Sequence, residues 1–245
     1  MGFEMRAEAR DVARRTREVL LNRMIASDVR LTDTEQIQVR AALSETRPKG
    51  SLIAEEGDSR RLCYLISGWA LRQTFVADGK RQISGFLIPG DPLEPFSCIG
   101  EVVSSGIVAI TPVELLDIAK ITNSRGTQLL PVIERFGTIV AREHLRYYRN
   151  QMVRLGGHSA AQRLAHLLLE LHERLSSVGL VNQGLFEFPL TQEMLADALG
   201  LHVVHVNRTM KQLRDAGLVY QKDAFLHVVK QKELEALSEY VGLVE

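Results

Sequence analysis

Residues 199–218 read LGLHVVHVNRTMKQLRDAGL. Neighbours on a helix lie three and four positions apart, which sorts this stretch into two stripes. Val206, Met210 and Leu213 form an apolar stripe of the kind an amphipathic helix buries. Val203, Val204, Asn207, Arg208 and Lys211 form the other. It mixes two branched apolar residues, an amide, a guanidinium and an amine. Packing has no use for that mixture, but base edges and phosphates do.

Working outward, QEMLADAL lies just upstream, preceded by Thr191 and followed by Gly200. Thr191 has the chemistry of an N-cap, and Gly200 that of a residue closing a helix. Leu195, Ala198 and Leu199 are the buried positions this spacing predicts. Two short helices joined by a tight glycine turn make a helix-turn-helix, whose second helix enters the major groove. Downstream, AGLVYQKDAFLHVV predicts a strand, a turn at Lys222-Asp223 and a second strand, which together form a wing. Further upstream, Ser159 can cap a helix over AAQRLAHLLLELHERL, with Leu164, Leu167, Leu168 and Leu171 inside. A short β segment, LFEFPL, follows it.

From Arg47 to Lys120 the chain has a different rhythm. Gly57, Gly68, Gly79 and Gly90 are evenly spaced, with the strand-like runs LCYLIS, ALRQTFVA and RQISGFLI around them and GIVAI and VELLDI after. Short strands with turn signals at this spacing predict a β-sandwich, roll or barrel. Between the two regions, Leu129, Ile133, Phe136, Val140 and Tyr147 form a helical stripe, with Pro131 tolerated in the first turn. A helix this long needs a partner. A dimer seam is the expected use of the stripe, and packing on its own β-domain is the competing one. The seam loses apolar character after Val140. Gly156-Gly157 reads as a hinge. The first residues, MGFEMRAEARDVARRTREVLLNRM, read as an amphipathic helix and not as a secretion signal. The expected organisation is a helical extension over 1–30, a β-roll sensor over 31–123, a dimerisation helix over 124–156 and a winged helix-turn-helix over 157–245: an α+β chain.

Composition limits the partners. The 245 residues carry 30 Lys and Arg against 30 Asp and Glu, so attraction to nucleic acid must be local. Two cysteines, Cys63 and Cys98, are too few for a disulfide framework. No apolar run approaches the ~18 residues of a membrane span. The expected location is the cytoplasm, with no membrane partner.

The stretches LTQEMLADALGL, VNRTMKQLRDAGLV and AAQRLAHLLLEL resemble the winged helix-turn-helix of the cyclic-AMP receptor/FNR superfamily of bacterial transcription regulators. EEGD, CYLISGWA and DGKRQISGFLIPGD, in that order, resemble the same family's sensor domain. The likeness covers nearly all of Leu31 to Val229. It implies a homodimer on an inverted-repeat site in double-stranded DNA, with RNA polymerase as a further partner. It also implies roles for the outward stripe. Arg208 stands where the family places its guanine-reading arginine, and a guanidinium fork matches guanine O6 and N7. Asn207 can reach an adenine or a phosphate, and Lys211 the backbone. Val204 replaces the family's glutamate; its methyls suit a thymine methyl. His202 stands where a Ser or Thr cap is usual and is a candidate phosphate contact. Thr191, His202, Val203, Val204, Asn207, Arg208 and Lys211 make up the expected DNA-binding set.

The sensor departs from the family's cyclic-nucleotide pattern. Relatives that bind such ligands use a Gly-Glu pair after Gly-Asp and an Arg-Ser pair further on. Here the segment reads GDPLEPFSCIGEVVSSGIVAI. Glu94-Pro95 replaces Gly-Glu, and no arginine occurs between Gly85 and Ala109. A buried cyclic phosphate would then lack a counter-charge, so cyclic AMP is not expected. No cysteine precedes Cys63, which argues against an iron–sulfur cluster. No cofactor is expected and the effector is unassigned. A haem- or redox-dependent sensor is the alternative, through His144 or a Cys63–Cys98 pair. A cupin-like metal enzyme needs histidines inside the barrel, and residues 47–120 contain none. No G-x-S-x-G motif is present, and the chain is not expected to be an enzyme.

Overall fold

The computed structural model describes residues 18–41, 44–58, 63–94, 102–118, 129–240 and 242. Cys98, Pro95, the first seventeen residues and the 124–128 start of the expected dimerisation helix lie outside this set. Two compact units divide the chain. One runs from the N-terminal side to Thr74 and from Ser84 to Tyr148; the other combines Phe75–Ile83 with Arg149–Glu245.

The first unit opens with α1 (Val19–Ala26) and α2 (Asp33–Ala41). Seven strands follow: β1 (Ser44–Arg47), β2 (Leu52–Ala54), β3 (Cys63–Ser67), β4 (Ala70–Phe75), β5 (Arg81–Leu87), β6 (Gly106–Ala109) and β7 (Val113–Asp117). They form two sheets, ordered β1-β7-β3 and β2-β6-β4-β5. Cys63, Leu65, Ala70, Leu87, Leu93, Ile107 and Leu115 fill one core of this unit. The evenly spaced glycines mark its turns. Gly68 shows why the residue is needed: its φ is +80°, and a Cβ there would lie 2.1 Å from Pro112 O.

The long helix, α3 (Leu129–Gly157), overturns one expectation. Leu129, Ile133, Phe136 and Val140 are buried within the chain itself, in a second core with Leu20, Leu21 and Met24 of α1 and with Tyr64 and Leu116 of the β region. Tyr147 is 7% exposed. The stripe whose spacing suggests a dimer seam is instead the seat of the N-terminal helix and the sheet. The reason is physical: the run VLLNRM offers α1 an apolar face of its own, and burying two such faces on each other satisfies both. Arg23 of α1 and Glu143 of α3 are ion-paired beside this core. The face of α3 left outside carries Thr138, Leu145 and Met152, spaced by seven, with the partly covered Ala141 and Tyr148 between them. Leu145 is 58% and Met152 68% exposed. Gly156 and Gly157 end the helix and do not interrupt it earlier.

The second unit holds α4 (Ala160–Ser177), β8 (Leu185–Glu187), α5 (Gln192–Leu199), α6 (Val203–Asp215), β9 (Val219–Lys222), β10 (Phe225–Val228) and α7 (Gln231–Ser238). Ser159 caps α4 in a full capping box with Gln162. The order β8-β10-β9 builds the three-stranded wing sheet, and Asp223 takes the wing turn at φ +53°. No helix among the described residues is long and apolar enough to cross a membrane.

Candidate nucleic-acid interface

Thr191 ends the β8 connection in an extended conformation, and its hydroxyl accepts from Met194 N at 3.2 Å. That bond satisfies one of the four orphan amides at the start of α5. Gly200 closes α5 at φ +61°. This left-handed residue makes the turn between the two helices as sharp as it is. His202 is the N-cap of α6 but makes no capping hydrogen bond, so its imidazole is not consumed by the helix end.

On α6 the two stripes separate as the spacing predicts. Val206, Thr209, Met210 and Leu213 are buried. His202, Val203, Val204, Asn207, Arg208 and Lys211 are all exposed. Val204 is 76% exposed, an unusual position for a branched apolar side chain. Arg208, Lys211 and Arg214 give the helix three exposed cations, and its first turn has no acidic residue. The face is therefore electropositive in a chain of zero net charge, which is the local attraction a phosphate backbone requires. Thr191 is exposed as well, its hydroxyl serving the cap.

The first helix of the pair, α5, is braced at its C-terminal end. The last carbonyls of α5 lack helical partners, and side chains from three elements supply donors. Gln82 Nε2 donates to Asp197 O at 2.8 Å, Gln151 Nε2 to Ala198 O at 2.5 Å and Arg163 NH1 to Leu199 O at 3.0 Å. Arg81 Nε also donates to the Asp197 carboxylate at 2.7 Å. Gln151 continues inward: its Oε1 accepts from Arg154 Nε and NH2 at 3.0 and 2.9 Å. Arg154 NH1 in turn donates to Glu170 at 2.8 Å, and Asn150 donates to the same oxygen at 3.3 Å. Burial pushes the Glu170 carboxyl up, but Arg154, Arg174 and these hydrogen bonds outweigh it and hold it below the usual carboxylate range. His166, 4% exposed, meets Arg154 NH1 through Nδ1 at 3.2 Å. Burial first, then the Arg154 charge, lower its pKa to about 4, against the opposing pull of Glu170.

None of these bracing residues was legible as such. Gln82, Gln151 and Arg163 lie far from α5 in sequence, and a side-chain-to-carbonyl bond leaves no periodic trace. His205 carries no sequence signal of its own either; its Nδ1 lies 3.0 Å from Arg208 NH2.

In the β unit, Glu94 is buried, and the Ser104 hydroxyl lies 3.4 Å from its carboxylate. Arg72 of β4 is buried against the same stretch and donates to Pro92 O and Leu93 O at 3.0 and 2.6 Å. Scanning residues 85–109 alone misses it, because the sheet brings it in from another strand. A cavity of about 60 Å³ is lined by Arg47, Asp58, Leu93, Glu94 and Ile107 among others.

A family model for the Crp-like helix-turn-helix domain matches residues 162–240, and one for the cyclic nucleotide-binding domain matches residues 45–122. The chain belongs to the Crp/Fnr family. Two curated members illustrate the likeness. The transcriptional activatory protein AadR of Rhodopseudomonas palustris is 27% identical over 87% of this chain and 88% of its own length. The nitrogen fixation regulation protein FixK of Rhizobium meliloti is 28% identical over 80% of this chain and 87% of its own. Among solved structures, FixK2 from Bradyrhizobium japonicum superposes with a TM-score of 0.67 at 25% identity, covering 82% of this chain and all of that one. Crp/Fnr members are transcription regulators with a DNA-binding helix-turn-helix, not enzymes.

Proposed function

We propose that this Crp/Fnr regulator binds an inverted-repeat site as a homodimer and reads each half-site with the outward stripe of α6. The observation that carries the reading is the division of α6. One stripe is sealed into the unit, while Val203, Val204, Asn207, Arg208 and Lys211 stand exposed with no packing role. Arg208 takes a guanine through its fork, Val204 an adjacent A·T pair through the thymine methyl, and Lys211 the backbone. His202 reaches a phosphate with the imidazole its cap position leaves unused, and Thr191 approaches the backbone from the start of α5. The dimer forms along the outer face of α3, where Thr138, Leu145 and Met152 recur at the seven-residue spacing of a coiled-coil seam. The DNA-bound dimer addresses RNA polymerase.

The β-roll senses something other than cyclic AMP. One cavity among its described residues has room for on the order of four or five waters. Its charged lining is mixed, with the carboxylates Asp58 and Glu94 outnumbering the one guanidinium, Arg47, which is a poor setting for a phosphate.

Selection from randomised half-sites with the wild type, Arg208→Ala, Val204→Glu and Lys211→Ala tests the reading. Arg208→Ala should relax one guanine position at a cost of about 1–3 kcal/mol. Val204→Glu should move its neighbour toward C·G, because the new carboxylate accepts from cytosine N4. Lys211→Ala should weaken all sequences alike and flatten the salt dependence. An unchanged consensus for the first two variants would show that this face does not read bases.

A further inference from the structure

Among the described residues, the side-chain acceptor that meets Arg208 is a histidine and not a carboxylate. His205 precedes it by three positions on α6, is exposed beside it, and places Nδ1 at 3.0 Å from the guanidinium NH2. A guanidinium has five donors and no acceptor, so Nδ1 accepts and carries no proton. The ring proton then sits on Nε2. The second histidine of the stripe, His202, lies beyond it with ring centroids 6.1 Å apart.

The contact matters because of what Arg208 must do. A bidentate contact to guanine needs the fork in one plane and one direction, and an exposed arginine gives up about 1.5–2 kcal/mol of rotamer freedom when so fixed. Val204, where a glutamate stands in the family pattern, offers no acceptor. His205 does. Its bond uses one of the two NH2 hydrogens and leaves the other, together with those on NH1 and Nε, for O6 and N7. The guanidinium is thus restrained before DNA arrives without losing its reading edge.

We infer that His205 is a positioning residue for base recognition: it accepts from Arg208 and holds the guanidinium fork toward its guanine. This rests on the proposed reading of guanine by Arg208, and it adds to the interface a residue whose effect is on discrimination and not on overall affinity.

The test uses the full-length protein and fluorescence anisotropy on two duplexes that differ only by guanine or adenine at the position Arg208→Ala relaxes, with an unrelated duplex as reference. His205→Ala, with helix content checked by circular dichroism, should lower the guanine-over-adenine preference about 1.5- to twofold, the size of a helical i,i+3 pair. Affinity for the unrelated duplex should stay the same. His205→Gln should keep the preference, because Oε1 can accept from the same guanidinium. An unchanged preference in His205→Ala overturns the role. So does an equal loss on all three duplexes, which would make His205 a phosphate contact, or a loss that glutamine does not restore. If Arg208→Ala itself leaves the preference intact, the base reading fails and the positioning role with it. If Arg208→Ala loses the preference and His205→Ala does not, only the positioning role fails.

Discussion

Lowering the pH from 7 to 5 should loosen the unit that carries the helix-turn-helix, and His166 should account for most of the loss. Its ring is buried on α4 against Arg154, and burial and that charge lower its pKa from 6.5 to about 4. In the unfolded chain the imidazole titrates near its ordinary value, so between these two values the unfolded state binds the extra proton. Stability therefore rises with pH across this window. His166 contributes in full above about 6.5, its contribution falls as pH drops, and no further loss comes below about 4. The whole displacement corresponds to roughly 3 kcal/mol at 1.36 kcal/mol per unit. The part lost between pH 7 and 5 is about 2 kcal/mol by the same linkage. Glu170 does not confuse this range: its depressed carboxyl adds stability that is lost only as pH falls through its own folded value, below the ordinary carboxylate range. His172 shifts in the same direction through burial, so a variant is needed to isolate His166. Urea unfolding followed by far-ultraviolet circular dichroism at pH 7, 6 and 5 should show the wild-type midpoint falling by about 1 M, taking a slope near 2 kcal/mol/M. His166→Gln should lose most of that dependence. A wild-type midpoint that holds steady to pH 5, or a His166→Gln variant that falls equally, would refute the account.

Three more outcomes follow from particular contacts. Leu145→Glu with Met152→Glu should give a monomer by sedimentation that binds a full site poorly, whereas a wild type that is monomeric at micromolar concentration would remove the seam. Thr191→Ala should cost the unit about 1 kcal/mol in urea unfolding through the lost cap, and Thr191→Ser should retain it. Gln151→Leu strips the donor from Ala198 O and the acceptor from Arg154 together and should cost about 1–3 kcal/mol; a neutral result would mean that the relay from α3 to α5 carries no stability.

What could be read from the chain was whatever repeats with a period or sits at a turn. The helix pair, its Thr191 cap and Gly200 close, the wing, and the glycines of the β-roll are all local signals, and each appears in place. Long-range pairing was not legible. The stripe Leu129–Val140 looked like a seam because a helical stripe records only that some apolar face is met, never which one. The deciding fact was the separate apolar face of VLLNRM more than a hundred residues away. Once α1 takes that stripe, the proposed dimer face moves to the exposed side of α3, where Thr138, Leu145 and Met152 recur at seven residues. Its apolar members fall after Val140, where the inner stripe turns polar with Glu143 and His144. Those polar residues are not a failing seam: Glu143 is ion-paired with Arg23, and the His144 ring sits edge-on to Tyr147 at 5.4 Å. The same logic applies at the reader. Arg208 was legible because the family motif marks it, while the His205 contact was not, since it is visible only when the ring nitrogen is seen 3.0 Å from the guanidinium.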